Sequence, residues 1–205
     1  LVKGGKNRLA VLVSPPDPVG NAAAGQGGDG TIGRNVAMQF TAGWDWICPI
    51  RDRNTGIWDQ VSIETTGKVD LRDPFIETKV PGMRVPGAKQ DPAYVKVSAD
   101  LINTSADAIN GILRIEFEGY KSSVRITLAP LETKNVSLNS IRVDNPRLWW
   151  PNGMGDQPLY QMKIEFVLSD GTLQDSETVT FGIRETSNTF DQQIKGQVFK
   201  VNGQK

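Results

Sequence analysis

Apolar and polar residues alternate with a period of two along much of the second half of this chain. In the clearest runs every second side chain is apolar: residues 95–101, 113–117, 124–128, 160–168 and 179–183. Because successive side chains on a strand point to opposite faces, such runs are typical of strands with one buried face. No window shows the spacing of an amphipathic helix. The pattern predicts an all-β protein.

Turn signals divide the region between Phe75 and Arg184 into seven predicted strands. They lie near residues 75–80, 93–103, 111–119, 122–128, 133–139, 158–168 and 172–184. Dipeptides such as Asn110-Gly111 and Asp170-Gly171 favour tight turns between strands. Seven short strands in roughly 110 residues predict an antiparallel two-sheet sandwich of the immunoglobulin type. The disulfide of antibody domains is missing, since the chain has one cysteine, Cys48.

The first 70 residues follow a different pattern. An apolar strand is predicted at residues 9–13, and two further strands near residues 35–40 and 57–65. A Gly-, Ala- and Pro-rich stretch separates the first of these from the others. Three or four strands do not complete a sandwich, so we expect only part of a sheet in this region.

Composition and charge exclude several classes of function. Lys and Arg total 23, as do Asp and Glu, so there is no basic surplus for nucleic acid. No apolar run approaches the length of a membrane span. Histidine is absent, which removes the usual general base and the serine–histidine triad. One cysteine leaves no internal disulfide and no cysteine-based metal site. We predict no cofactor, no metal, and no nucleic-acid or membrane partner.

Two short motifs match ligand-binding patterns by letter only. Residues 25–30 read Gly-x-Gly-x-x-Gly, but a dinucleotide loop needs a strand directly before it and a helix after it. Three prolines separate the motif from the nearest predicted strand before it, and the next predicted element after it is a strand and not a helix. Residues 52–56 resemble the start of a calcium loop, yet Ile63 occupies the place of the bidentate glutamate. Both are interpreted as loops and turns.

Three of the five tryptophans fall within residues 40–58, around a Gly-Trp-Asp-Trp turn. Aromatic surface of this density is rarely kept unless something packs on it. Asp45, between Trp44 and Trp46, has surroundings that suit a sugar. From the residues alone, Asp45 could equally cap the turn after Gly43.

A second aromatic pair, Trp149 and Trp150, precedes an Asn-Gly turn. Neighbours on a strand point to opposite faces, so one indole can enter the core while the other packs on an adjacent element. We favour packing in the core and at a domain junction over a sugar platform.

Three segments resemble family 2 glycoside hydrolases of the β-mannosidase and exo-β-glucosaminidase type. They are residues 40–58, residues 144–160 with their Asn-Pro-Arg-Leu-Trp-Trp-Pro-Asn-Gly core, and the Thr-Phe-Gly-Ile-Arg-Glu run at 180–185. The tail at residues 199–205 resembles the strand and turn that lead into the catalytic barrel. The resemblance marks these positions as structural: Trp58, Trp149, Trp150, Gly182 and Arg184.

The resemblance implies a domain order. Residues 1–70 would be the C-terminal part of a sugar-binding jelly roll, 71–188 an immunoglobulin-like sandwich, and 189–205 a linker and the start of an absent TIM barrel. In the family, the Gly-Trp-Asp-Trp loop reaches towards the barrel's active site. Asp45 would then accept hydrogen bonds from the terminal β-linked sugar, with Trp44 or Trp46 as a wall. The implied partners are the barrel, the rest of the jelly roll and carbohydrate, and periplasmic or secreted location is expected.

No catalytic residue is predicted in this chain. Retaining glycosidases need two carboxyls about 5–5.5 Å apart, and in this family both are barrel glutamates, the acid/base following an asparagine. The sequence contains no Asn-Glu dipeptide. Glu116 and Glu118 are predicted to share the solvent face of one strand as a surface pair.

We therefore expect a non-catalytic accessory portion of a retaining exo-β-glycosidase. Two alternatives stay open at this point. One is a free-standing carbohydrate-binding module, and the other is an adhesion-type sandwich without a ligand.

Overall fold

The computed structural model describes residues 5–13, 56, 57 and 59–205, and the chain divides into two units, Leu1–Ile63 and Glu64–Lys205. Residues 9–13 and 59–65 form no strand, so two of the strand predictions for the first half are wrong. A strand requires a hydrogen-bonded neighbour, and no ladder joins these residues to another described segment. The third predicted strand, at 35–40, lies outside the described residues.

The remainder of the structure is made of ten strands, and the prediction of an all-β protein is confirmed. Each of the seven predicted strands corresponds to an observed one. No helix occurs among the described residues, and none there could cross a membrane. The strands are β1 Val69–Lys79, β2 Ala93–Asn103, β3 Ile109–Phe117, β4 Tyr120–Leu128, β5 Thr133–Ser137, β6 Ile141–Val143, β7 Tyr160–Leu168, β8 Leu173–Phe181, β9 Thr186–Asp191 and β10 Gly196–Val201.

Eight strands build an antiparallel sandwich. In sheet I, β2 pairs with β1 on one side and with β5 and then β6 on the other. In sheet II the order is β4-β3-β7-β8. Strands β9 and β10 form a separate two-stranded hairpin. Sequence patterning missed β6 because three residues are too short to show a period, and β9 because it has no buried face.

The core lies between the inner faces of the two sheets. Leu101 of sheet I and Leu113 and Phe166 of sheet II are completely buried. Gly111 makes room for the Phe166 ring, because a Cβ at that position would lie 2.5 Å from the ring. Alternation along each strand thus becomes one continuous apolar layer of buried side chains from both sheets.

Strand β1 is an edge strand, and side chains of β8 and of the segment after β8 bond to backbone amides along it. A bulge follows Arg72 and includes Pro74, which has no amide hydrogen to offer a new strand. On either side of the bulge, the amide of Leu71 donates to Asp175 Oδ2 at 2.7 Å, and the amide of Val80 donates to Glu185 Oε2 at 2.6 Å. These carboxylates close the side of the sandwich between β1 and β8.

Tyr160, at the start of β7, fastens the long connection that precedes it. Its hydroxyl oxygen accepts a hydrogen bond from the amide of Arg147 at 2.7 Å, and the Arg147 guanidinium lies 4.7 Å from the ring centroid. The ring stacks on Phe181 at a centroid distance of 5.5 Å. Burial raises the pKa of the Tyr160 hydroxyl. These contacts tie the segment between β6 and β7 to the core of the sandwich.

Replacing Phe166 with alanine is expected to lower the free energy of unfolding by about 3–5 kcal/mol, because it removes a buried ring and leaves a cavity. Phe75 is the matched control, since 65% of it is exposed, and Phe75→Ala should stay within about 0.5 kcal/mol of the wild type. Urea unfolding followed by tryptophan fluorescence measures both. Equal losses in the two variants would contradict the assigned core.

Glu177 of β8 lies opposite Ile164, towards the sandwich interior. Burial, then the charges of Glu64 and Asp175, raises the pKa of its carboxyl above the usual value. The unfolded chain therefore releases this proton first as pH rises, and the folded state loses stability across the interval between the two pKa values. Glu177→Gln should be more stable than the wild type at pH 7, with the gain vanishing below about pH 4.

Glu165 provides a control of opposite sign for that measurement. A hydrogen bond from Lys163, with further help from Arg114, lowers the pKa of the Glu165 carboxyl. The stabilisation is present above the unfolded pKa and is lost as pH falls through the folded pKa. Glu165→Gln should be less stable than the wild type at pH 7 and converge with it in acid. Parallel pH profiles of the two variants would contradict both assignments.

Candidate functional site

The predicted site residues fall into two groups. Trp44, Asp45, Trp46 and Trp58 lie outside the described residues, and the roles given to them stay predictions. The structure describes the other four: Trp149, Trp150, Gly182 and Arg184. They lie in one junction at the end of the sandwich where β8 finishes.

The two neighbouring tryptophans point in opposite directions. Trp150 is 3% exposed and belongs to the core, whereas Trp149 is half-buried on the outside. The guanidinium carbon of Arg184 lies 4.3 Å from the centroid of the Trp149 ring, a cation–π contact. A Cβ at Gly182 would approach Trp149 Cβ to 3.0 Å, so this glycine allows the indole to lie flat against the backbone.

A short parallel pairing brings these residues together. Leu148 forms a bridge with Ile183, and the amide of Trp149 donates to the Ile183 carbonyl at 2.9 Å. The amide of Trp150 donates to the Asp156 carbonyl, also at 2.9 Å. The segment after β6 is thereby laid along the residues that follow β8.

Asn202 is the centre of the junction, although the sequence patterning did not single it out. It is completely buried. Its Nδ2 donates to the Trp149 carbonyl at 3.0 Å, and its Oδ1 accepts from the Glu185 amide at 2.9 Å. Its own amide donates to the Glu185 carbonyl at 2.8 Å, and its carbonyl accepts from the Arg84 amide at 2.9 Å. The one available signal was the Asn-Gly dipeptide, which marks a turn but not its partners.

Arg84 is a second buried polar residue that patterning missed, with 4% of its surface exposed. Its guanidinium donates to the carbonyls of Pro81 at 2.9 Å, Asp91 at 2.5 Å and Pro92 at 2.9 Å. A buried charge is tolerated only when it is well hydrogen-bonded. The Arg84 carbonyl also accepts from Gln204 Nε2 at 2.6 Å. The loop between β1 and β2 is thus tied to the last turn of the chain.

The acidic side chains near these elements are engaged in structural interactions. Glu116 pairs with Lys121 at 3.1 Å, and Glu118 pairs with Arg147. Glu118 lies in the turn after β3, with φ at 43°, so the prediction that it shares a strand face with Glu116 is wrong. The turn conformation at Glu118-Gly119 ends the strand at Phe117, two residues before the predicted end. No group of three or more acidic, His or Cys residues among those described is arranged to hold a metal.

The β9–β10 hairpin presents aromatic side chains to solvent. Phe190 pairs with Gln197, and Phe199 pairs with Asn188. This register puts the two rings on one face in diagonal positions. They are 54% and 72% exposed, respectively. The junction and the hairpin therefore combine a polar anchor with an uncovered aromatic face.

The contact between Gly182 and Trp149 can be tested directly. Gly182→Ala should lower the free energy of unfolding by about 1 kcal/mol, because the cost of displacing the indole outweighs the stabilisation that comes from the lower conformational entropy of the unfolded chain. At Gly196 an added Cβ would meet nothing closer than 3.8 Å, so Gly196→Ala is the control and should not destabilise. Urea unfolding of both variants makes the comparison, and an equal effect would contradict the packing argument.

Comparison with known proteins places this geometry in a family. Residues 71–184, more than half of the chain, match the family model for glycosyl hydrolases family 2. The chain is 38% identical to mannosylglycoprotein endo-beta-mannosidase of Lilium longiflorum, covering 98% of this chain and 22% of that protein. It is 30% identical to exo-beta-D-glucosaminidase of Amycolatopsis orientalis, covering 98% of this chain and 17% of that protein.

Solved structures agree with these sequence matches. The exo-chitosanase of Amycolatopsis orientalis superposes with a TM-score of 0.64 at 31% identity, over 75% of this chain and 17% of that one. The beta-D-mannosidase of Dictyoglomus thermophilum gives a TM-score of 0.61 at 26% identity, over 84% of this chain and 20% of that one. The chain thus spans about a fifth of the length of these glycosidases, and it belongs to family 2 of the glycoside hydrolases.

Proposed function

We propose that this chain is a non-catalytic supporting portion of a retaining β-glycosidase that acts on β-linked mannosyl or glucosaminyl residues. The observation that carries the proposal is its likeness to glycosidases of which it covers 17–22%. A β-sandwich whose acidic side chains bond to backbone amides and cations at β1, β3 and β7 adds support.

The mechanical part of the proposal is that the sandwich packs on a catalytic barrel. The exposed aromatic face of the β9–β10 hairpin supports it, since solvent-facing phenylalanines side by side are typical of surfaces that become buried. The junction around Trp149 would transmit a fixed orientation from the sandwich to that barrel. Such precision matters because errors of about 1 Å in the placement of substrate-binding groups cost rate heavily.

The chemical part concerns Asp45 and the indoles beside it. We propose that Asp45 accepts hydrogen bonds from hydroxyls of the terminal sugar in the pocket, with Trp44 or Trp46 forming a wall. The family resemblance of residues 40–58 supports this assignment. A carboxylate is suited to the role because its bonds to hydroxyls are charge-assisted.

Exo action is proposed because several relatives are named exo-beta-D-glucosaminidases. Endo action is the second candidate, favoured by the 38% identity to the lily protein named an endo-beta-mannosidase. Product analysis of the longer enzyme on a β-mannosyl oligosaccharide separates the two. Single sugars released from one end indicate exo action, and larger fragments indicate endo action.

The mass of the native protein tests whether a catalytic domain accompanies this chain. An antibody raised to the chain should detect a band at about 50 kDa or more, because a TIM barrel alone adds roughly 250 residues. A band near the 22.4 kDa of this chain would contradict the proposal.

If the band has that mass, sugar titration followed by tryptophan fluorescence separates the two remaining alternatives. Quenching that Trp44→Ala abolishes indicates a carbohydrate-binding module, and no response indicates an adhesion-type sandwich.

In the longer enzyme, Asp45→Asn is expected to lower kcat/KM by about 10- to 100-fold, the effect of weakening hydrogen bonds to a charged group. Asp52→Asn is the matched control, because this carboxylate belongs to the same segment but has no tryptophan directly before or after it. Its kcat/KM should stay near that of the wild type. Steady-state kinetics with an aryl β-glycoside provides the measurement. Equal kinetics for Asp45→Asn and the wild type would remove Asp45 from the pocket.

A further inference from the structure

The β9–β10 hairpin has little means of staying ordered by itself. Its strands are six residues each, and an isolated two-stranded hairpin is marginal in water. Its largest apolar side chains face solvent: Phe190, Ile194 and Phe199 are 54%, 65% and 72% exposed. Apolar burial against the sandwich therefore contributes little to holding the hairpin in place.

Both ends of the hairpin meet at Asn202. Strand β9 begins directly after Glu185, and β10 ends directly before Asn202. Two hydrogen bonds join Asn202 to Glu185: the Glu185 amide donates to Asn202 Oδ1, and the Asn202 amide donates to the Glu185 carbonyl. A third bond runs from Asn202 Nδ2 to the Trp149 carbonyl. An asparagine suits this place because its short side chain donates to one carbonyl and accepts from one amide at once.

Gly203 allows the turn to lie directly on the loop after β1. Its φ is 79°, and a Cβ there would lie 2.7 Å from the Gly82 carbonyl oxygen and from Met83 Cα. Both atoms belong to the backbone, so no side-chain movement could relieve the contact. The close approach lets the Arg84 amide reach the Asn202 carbonyl. We call Asn202, Gly203 and Gln204, whose Nε2 donates to the Arg84 carbonyl, together with their partners Arg84, Trp149 and Glu185, the Asn202 clamp.

We propose that the Asn202 clamp couples the hairpin to the sandwich and sets the direction in which the hairpin points. Residues just before the hairpin are also held by bonds that do not involve Asn202. Thr78 Oγ1 donates to the Arg184 carbonyl at 2.5 Å, and the Glu185 carboxylate accepts from the Val80 amide. Opening the clamp therefore frees the hairpin from about Thr186 onward and leaves the sandwich intact. Such an opening is a local unfolding event, distinct from unfolding of the whole unit.

The proposal concerns contacts within residues 64–205 alone, so it does not depend on the proposed function. If the chain supports a catalytic barrel, the clamp becomes a positioning device for whatever packs on the exposed Phe190 and Phe199. If it does not, the coupling between hairpin and sandwich is unchanged. Failure of one proposal is therefore distinguishable from failure of the other.

Hydrogen exchange of the 205-residue chain, resolved by mass spectrometry, tests the clamp. In Asn202→Ala the amides of β9 and β10 should exchange at least about tenfold faster, the effect of losing one or more net hydrogen bonds, while β2, β3 and β7 keep wild-type protection. Asn202→Asp should behave similarly, because a carboxylate has no hydrogen for the Trp149 carbonyl. Asn188→Ala is the control, since Asn188 is exposed on β9, and should match the wild type.

Two results would overturn the proposal: unchanged hairpin protection in Asn202→Ala, or an equal loss of protection across the sandwich. A second variant, Gly203→Ala, tests the same coupling through the backbone contact and should reproduce the selective loss. The wild-type protein gives a third reading that needs no substitution. Its hairpin amides should exchange together through one opening below global unfolding, and exchange only by global unfolding would contradict a separate hairpin.

Discussion

Burial of alternate side chains between two sheets is the constraint on which the remaining structure depends. Leu101 of sheet I has no exposed surface, and neither do Leu113 and Phe166, which are neighbours on the inner face of sheet II. Because a shift of one residue would turn every buried side chain to solvent, this layer fixes the register of each central strand. Register in turn determines where the strands end. The Trp149 junction and the Glu118 turn occupy their positions because β3, β7 and β8 stop where they do.

The four buried polar side chains of the sandwich each have hydrogen-bond partners, and this selects one arrangement of the loops. Asn103 donates to the carbonyls of Asp107 and Ala129, and Gln174 accepts from the Lys68 amide. Asn202 and Arg84 do the same at the other end. An unmade hydrogen bond in a buried site costs more than a made one contributes, so each of these residues penalises alternative loop positions. The apolar layer supplies stability, and the buried amides and guanidinium supply uniqueness.

Under the proposed function, this portion of a family 2 glycoside hydrolase would act by positioning other groups and not by catalysis. A sandwich by itself does not define a function, which resides in the groups that it places. The proposed roles follow this division: Asp45 would bind substrate directly, whereas Trp149, Arg184 and Asn202 hold neighbouring elements in fixed directions. The exposed aromatic face of the hairpin, which is anchored by polar contacts, is the surface at which we propose that the sandwich meets the barrel.

Periodicity and turn chemistry were sufficient to identify the all-β class and the seven main strands, since both are local properties of a half-buried strand. The same reasoning was wrong at residues 9–13 and 59–65, because apolar composition does not supply a pairing partner. It also placed Glu118 on β3, where a positive φ begins the turn instead.

The motif residues Trp149, Gly182 and Arg184 were recognised, but their stacking was not, because the contact joins segments more than 30 residues apart. The Asn-Gly dipeptide marked a turn at Asn202 but not its partners, which come from three distant parts of the chain: Arg84, Trp149 and Glu185. Arg84 has no pattern that marks it as buried, although its guanidinium bonds to carbonyls of its own loop. Hydrogen-bond completion at a buried site is a property of the assembled fold, and only the tertiary structure decides it.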